Sequence, residues 1–211
     1  MPVFRAAHAG TSRRTAGAPC PVASCAMALK ATICKAALQI ADMDNSYYQD
    51  HALTIARHPS ETDERMMVRV LAFALHASAT LSFGKGLSTD DEPDIWQKDL
   101  TGAIQTWIDV GLPDEKRVRR ACGRANEVFV YAYGGHGASL CWEAISGDLE
   151  RTRNLTVKIL SSATTRALAK LAGRNMQLNC TIHDEQVWLA NEHESVQAEI
   201  ETMRMPAPTM R

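Results

Sequence analysis

The sequence lacks the features that would place it in several large classes at once. No apolar run approaches the ~20 residues that a membrane-spanning helix requires, so no membrane partner is expected. Neither sign of charge dominates: 23 Lys+Arg stand against 24 Asp+Glu, a net charge of -1. Wholesale electrostatic attachment to nucleic acid or anionic lipid is therefore not implied, and any such binding must come from a local patch. The six cysteines, at positions 20, 25, 34, 122, 141 and 180, form no CxxC pair and no zinc-ligand spacing. A chain of this size needs no disulfide staples, so reduced, mostly buried thiols and a cytoplasmic location are expected; a monomer is expected as well. There is no internal repeat and no low-complexity tract. Acidic residues are missing from the whole leading stretch, the first being Asp42.

What is present fits a globular chain. It has 211 residues, 45% of them hydrophobic and 22% charged, which excludes global disorder and suffices for a substantial core. Residues 1–26 hold Arg5, Arg13 and Arg14, several Pro and Gly, and no periodic pattern. They read as a disordered extension or as a start assigned too early, with transit-peptide-like composition. Patterning begins at Met27, so a single domain is expected over 27–202, with a loose tail over 203–211.

Alternation predicts a strand over 29–40, with a bulge near Lys35, and a second over 51–57. Pro59 and Ser60 open a helix to about Thr80, with Ser60 as N-cap and Met67, Val70, Leu71, Ala74 and Leu75 facing the core. An acidic loop over 82–92 follows, ending in Asp90, Asp91 and Glu92. Strands are expected over 94–98 and 104–110, then a helix over 114–126 beginning near Pro113, and a nearly all-apolar strand over 127–133. Strand, helix and buried strand make a parallel crossover. A glycine loop over 134–137, a strand over 155–160, a helix over 163–172 and a hairpin across Asp184-Glu185 complete an α/β chain with a mixed sheet flanked by helices.

The 94–110 hairpin carries the chemistry. A two-residue turn at Thr101-Gly102 sets Lys98 opposite Gln105, Trp96 opposite Trp107, and Asp94 opposite Asp109. Two carboxylates then stand roughly 5 Å apart at Cβ. Such a pair shares a proton or binds a cation, and Mg²⁺ or Mn²⁺ suits carboxylates plus phosphate oxygens. Strand ends pointing into water are the plainer alternative. On the next helix, Lys116, Arg117, Arg120 and Arg124 fall on one stripe, placed to contact nucleic-acid phosphates or simply solvated. Gly84-Lys85-Gly86 lacks phosphate-loop spacing, and Gly137-Ala138-Ser139 lacks the second glycine of a nucleophile elbow.

Several blocks together resemble the YaeQ family. They are Met27–Ile33, Ala56–Arg69, Asp91–Trp96, Trp107–Arg117, Ala121–Ala125, Tyr131–Tyr133 and Gln186–Leu189. The resemblance implies a compact PD-(D/E)XK nuclease-like fold. It maps Pro93-Asp94 onto the "PD" element, Asp109 onto the acid of "(D/E)XK", and Glu64 or Glu61 onto an acid of the preceding helix. Gly111 stands where that superfamily places its lysine, and Lys116, or more remotely Lys98, is the substitute. Two functions follow as expectations. One is Mg²⁺- or Mn²⁺-dependent phosphodiester hydrolysis by Glu64, Asp94, Asp109 and Lys116, with Asp94 and Asp109 as metal ligands and Arg117, Arg120 and Arg124 on the nucleic acid. The other is a catalytically degenerate binding protein on the same fold.

Overall fold

The computed structural model describes residues 31–84 and 92–206. The leading segment 1–26, the start of the first expected strand, Lys85, Gly86, Asp90, Asp91 and positions 207–211 lie outside these residues.

The strands divide between two mixed sheets, where the sequence suggested one. The first sheet begins with β1 (Thr32–Asp42) and β2 (Tyr47–Arg57), an antiparallel pair in unbroken register. The bulge expected near Lys35 is absent: Cys34, Ala36, Leu38 and Ile40 alternate inward without a slip, and Ile33 is exposed. The second sheet is built around β3 (Leu81–Phe83), β4 (Ile95–Lys98), β5 (Ile104–Val110), β6 (Ala125–Tyr133) and β7 (Leu155–Leu160). Here β5, β6 and β7 run parallel, as the crossover pattern required, while β3 and β4 are antiparallel.

Late strands split the same way. β8 (Asn175–His183) lies parallel to β1 and forms a hairpin with β9 (Gln186–Ala190), which pairs with β10 (Ser195–Ala198). The turn at Asp184 and Glu185 has both residues at positive φ, and Asp44 accepts both their N–H groups. β11 (Ile200–Arg204) joins the second sheet against β7. Residues 203 and 204, expected in a loose tail, therefore belong to a strand. The two sheets separate because β8 finds its neighbour in β1, not in the central parallel strands.

Four α-helices pack among the described residues. α1 (Asp63–Leu75) starts later than expected: Thr62, not Ser60, accepts the capping bond, from Arg65 N–H, while Ser60 bonds His58. Every residue from Met66 to Ala74 is buried, the signature of a helix covered on all sides. It lies in one core with the inner face of the first sheet, one face of the second, and α4 (Ser162–Lys170). The opposite face of the second sheet makes a separate core with Val118 and Ala121 of α2 (Glu115–Cys122), and with Ala138 and Trp142 of α3 (His136–Ser146). α3 begins inside the expected glycine loop. Its buried face amounts to those two residues, too few for a periodicity to show. Gly134 and Gly135, both at positive φ, supply the sharp entry. No helix is long and apolar enough to cross a membrane. Cys34 and Cys180 are buried, whereas Cys141 is exposed; all the described cysteines are free thiols.

Candidate functional site

The hairpin that carries Asp94 and Asp109 keeps the expected Trp96–Trp107 register by a different route, while the expected Lys98–Gln105 pair does not form. Its turn is a three-residue loop, Leu100–Gly102. Asp99 N–H donates to Ala103 C=O, Gly102 N–H donates to Asp99 C=O, and Gly102 sits at φ 87°. The Asp99 carboxylate accepts from the N–H groups of Thr101 and Ala103, which fixes that loop. The extra loop residue would shift the strands by one position, but Gln105 bulges out: Lys98 pairs with Ile104 and Gln97 with Thr106. The two offsets cancel. Trp96 remains opposite Trp107 and Ile95 opposite Ile108, which brings Asp94 to the level of Asp109. On the strand side, Gly84 N–H donates to Asp94 C=O at 2.8 Å. A Cβ on Gly84 would lie 2.0 Å from the Pro93 carbonyl oxygen, so only glycine allows this approach.

Both carboxylates are buried, Asp94 at 5% and Asp109 at 2% exposure, and each is held by an arginine. Arg65 Nη2 donates to both oxygens of Asp94, at 2.7 and 2.8 Å. The Val110 N–H adds a bond to Asp94 Oδ2 at 2.8 Å. Arg117 grips Asp109 through Nε on Oδ2 (3.0 Å) and Nη2 on Oδ1 (2.8 Å), and the same Nη2 donates to the Glu92 carbonyl at 2.9 Å. The Arg117–Asp109 contact, two parallel N–H···O bonds, is of a type among the stronger ion pairs.

Glu61 is the acid that the region before α1 contributes. It is 3% exposed and accepts from Arg65 Nη1 at 2.8 Å and from Arg69 Nη1 at 3.1 Å on both oxygens. Arg69 is wholly buried, with its Nε 3.6 Å from Asp94 Oδ1 and its guanidinium over the Phe83 ring. Its Nε and Nη2 have no hydrogen-bond partner. Burial works to lower the Arg65 pKa, but the Asp94 and Glu61 carboxylates outweigh it and leave the pKa raised. The guanidinium is thus locked in its charged form.

The other expected site residues lie around this network. Glu64 is half-buried, lies outside the arginine contacts of the two aspartates, and is close enough to Tyr133 to affect its hydroxyl electrostatically. Lys116 is exposed and does not reach Asp94 or Asp109; Arg117, one position on, is the cation that does. The expected four-residue basic stripe is therefore divided. Arg117 turns inward, Lys116 and Arg120 stay on the exposed face of α2, and Arg124 lies beyond the helix end at Cys122. Lys98 stacks over the Trp96 ring, 3.4 Å from its centroid.

A divalent ion between the aspartates does not fit this arrangement. Hard cations take carboxylate and carbonyl oxygens that face an open position, whereas here the four aspartate oxygens already accept guanidinium donors. Among the described residues, the one group of three potential ligands with mutually close donor atoms is Asp44, His183 and Asp184, exposed and remote in sequence from the hairpin. There Asp44 already accepts the backbone N–H groups of the turn.

Arg65 and Arg69 carry much of the site, yet pattern reading passes over them because they sit inside a helix chosen by its apolar stripe. A signal exists. Glu61, Arg65 and Arg69 recur at four-residue spacing, and Arg69 is a cation between Val68 and Val70 in an apolar run.

Comparison with known proteins agrees with this architecture. The crystal structure of the YaeQ protein from Xanthomonas axonopodis pv. citri is similar at 49% identity, with a TM-score of 0.80 over 84% of this chain and 99% of that one. That of the YaeQ protein from Pseudomonas syringae is similar at 30% identity, with a TM-score of 0.79 over 83% of this chain and 97% of the other. YaeQ of Salmonella typhi is 40% identical over 181 residues, 86% of this chain and the full length of that protein. The family model described as YaeQ protein matches residues 27–200, and the chain belongs to that family.

Proposed function

We propose that this chain is a PD-(D/E)XK nuclease-like protein that does not hydrolyse, and that it binds nucleic acid as a non-enzymatic partner. One observation carries the reading: both candidate metal ligands, Asp94 and Asp109, are buried, and both oxygens of each accept from a guanidinium, Arg65 or Arg117. The lysine position adds to it. Gly111 at φ 115° stands there, and a lysine that orients water and stabilises developing charge is missing. Nucleic-acid contact falls to Lys116, Arg120 and Arg124, three exposed cations in a stretch where five of nine residues are basic. Phosphate contacts of this kind give salt-dependent affinity without base specificity.

The test is binding to single- and double-stranded DNA and RNA by fluorescence anisotropy across a salt series. The variant with Lys116, Arg120 and Arg124 changed to Ala is measured beside it. The expected result is measurable affinity whose log–log salt slope shrinks by roughly 3 in the variant, near 0.9 per lost phosphate contact. Unchanged binding in the variant, or no binding by the native protein, defeats the proposal.

A second reading has its own support. The hairpin register sets Asp94 level with Asp109 at the strand ends, which favours Mg²⁺- or Mn²⁺-dependent hydrolysis once the metal displaces the Arg65 and Arg117 guanidiniums. Cleavage of any of these substrates with Mg²⁺ or Mn²⁺ that Asp109→Asn abolishes would establish it in place of the first.

A further inference from the structure

The oxygens around the Arg65 guanidinium form a set that ordinarily surrounds a hard cation. Its Nη1 takes Glu61 Oε1 at 2.8 Å. Its Nη2 takes Asp94 Oδ1 and Oδ2, and the Val110 carbonyl at 3.3 Å. Two carboxylates and one backbone carbonyl, all buried, are the donors that Mg²⁺, Mn²⁺ or Ca²⁺ select.

Charge accounts for the occupant. Glu61 and Asp94 bring two negative charges into a region where none of the four charged groups, Glu61, Asp94, Arg65 and Arg69, is more than slightly exposed. Arg69 neutralises one of them from behind, through Glu61. One negative charge is left over and needs a counter-cation, because an unpaired buried charge is costly. Arg65 is that cation.

We propose that the Arg65 guanidinium is the resident cation of a cage made by Glu61, Asp94 and the Val110 carbonyl, and that this side chain keeps divalent ions out. The inference rests on the non-hydrolytic reading and deepens it: the protein holds an oxygen-lined cation site closed by its own arginine. Removing the guanidinium opens the cage with a net charge of minus one and an access route where the side chain lay. Asp94 then has two courses. It takes an external cation, as the inference requires, or it swings toward the Arg69 Nε, which lies 3.6 Å away without a hydrogen-bond partner, and leaves no cation site.

The experiment measures Mn²⁺ binding by electron paramagnetic resonance and by the shift in melting temperature. It compares the full chain with Arg65→Ala and with Arg65→Gln, the latter retaining a long side chain in case the former does not fold. The native protein is expected to show no site at Asp94 and no change in melting temperature with Mn²⁺ or chelator. The variants are expected to melt lower and to bind one Mn²⁺ at least about tenfold more tightly, since a like charge has left the cage. That gain is expected to vanish in Arg65→Gln/Asp94→Asn. Variants that gain no Mn²⁺ affinity overturn the inference and leave the nucleic-acid reading standing, as does a gain that survives Asp94→Asn. Native protein that binds Mn²⁺ through Asp94 overturns both.

Discussion

Arg117 meets Asp109 edge-on, Nε to Oδ2 and Nη2 to Oδ1, and ties the same guanidinium to the Glu92 backbone. One side chain from α2 thereby joins the end of β5 to the segment that leads into Asp94. The helix is held against the sheet by charge as well as by Val118 and Ala121.

Truncating that link should be felt in stability. Arg117→Ala is expected to cost about 2 kcal/mol, the range for hydrogen bonds to charged groups at a partly open site. Asp109→Asn in the same background should cost less than it does alone, because the uncompensated carboxylate is gone. Urea unfolding of the single and double variants measures this coupling. Strict additivity would show that the pair does not act as a unit.

Arg69 should be the more damaging position. It is wholly buried and neutralises Glu61, so Arg69→Met leaves a carboxylate with one partner fewer in the core. A loss of roughly 3–5 kcal/mol is expected, the cost of breaking a buried pair. Glu61→Gln added to Arg69→Met should recover part of it, as read by denaturant midpoint.

Placing a lysine at position 111 should not create hydrolytic activity. Gly111 adopts φ 115°, a region that side chains rarely occupy, so Gly111→Lys is expected to lose about 1–3 kcal/mol. Asp94 and Asp109 remain held by their arginines, so no Mg²⁺-dependent cleavage should appear. Cleavage above the native level by this variant would reopen the hydrolytic reading.

Acid should destabilise the fold through His76. Its ring bonds the Tyr131 hydroxyl at 2.8 Å and packs on Phe129. Burial, with a smaller contribution from Lys158, lowers its pKa to about 3. An imidazole kept neutral in the fold but protonated when unfolded makes the unfolded state bind more protons. Its stabilising contribution is complete above the ordinary value of 6.5 and is lost as pH falls toward about 3. Over that window the slope contributed approaches ~1.4 kcal/mol per pH unit. Melting curves of His76→Gln between neutral pH and pH 4 should be flatter than those of the native chain.

Much of this was legible in the sequence because it follows from local chemistry. The alternation in β1 and β2, the apolar run of β6, and the Asp184-Glu185 turn are periodicities and turn preferences that act over a few residues. The same holds for the Trp96–Trp107 pairing, although the two-residue turn behind it did not form and a bulge at Gln105 compensated. α3 was not legible, since only Ala138 and Trp142 face the core. Neither was the division into two sheets, which depends on β8 choosing β1 as its neighbour across more than a hundred residues.

The sequence by itself determined which acids would share the end of the 94–110 hairpin, because strand register is set by side-chain alternation and by the compensating turn and bulge. Tertiary structure alone decided what those acids are bonded to. Arg65 and Arg117 lie on two helices that pack against opposite faces of the second sheet. Whether their guanidiniums turn outward to solvent or inward to Asp94 and Asp109 depends on the cost of a buried, unpaired carboxylate. That cost exists only once both cores have closed around the site.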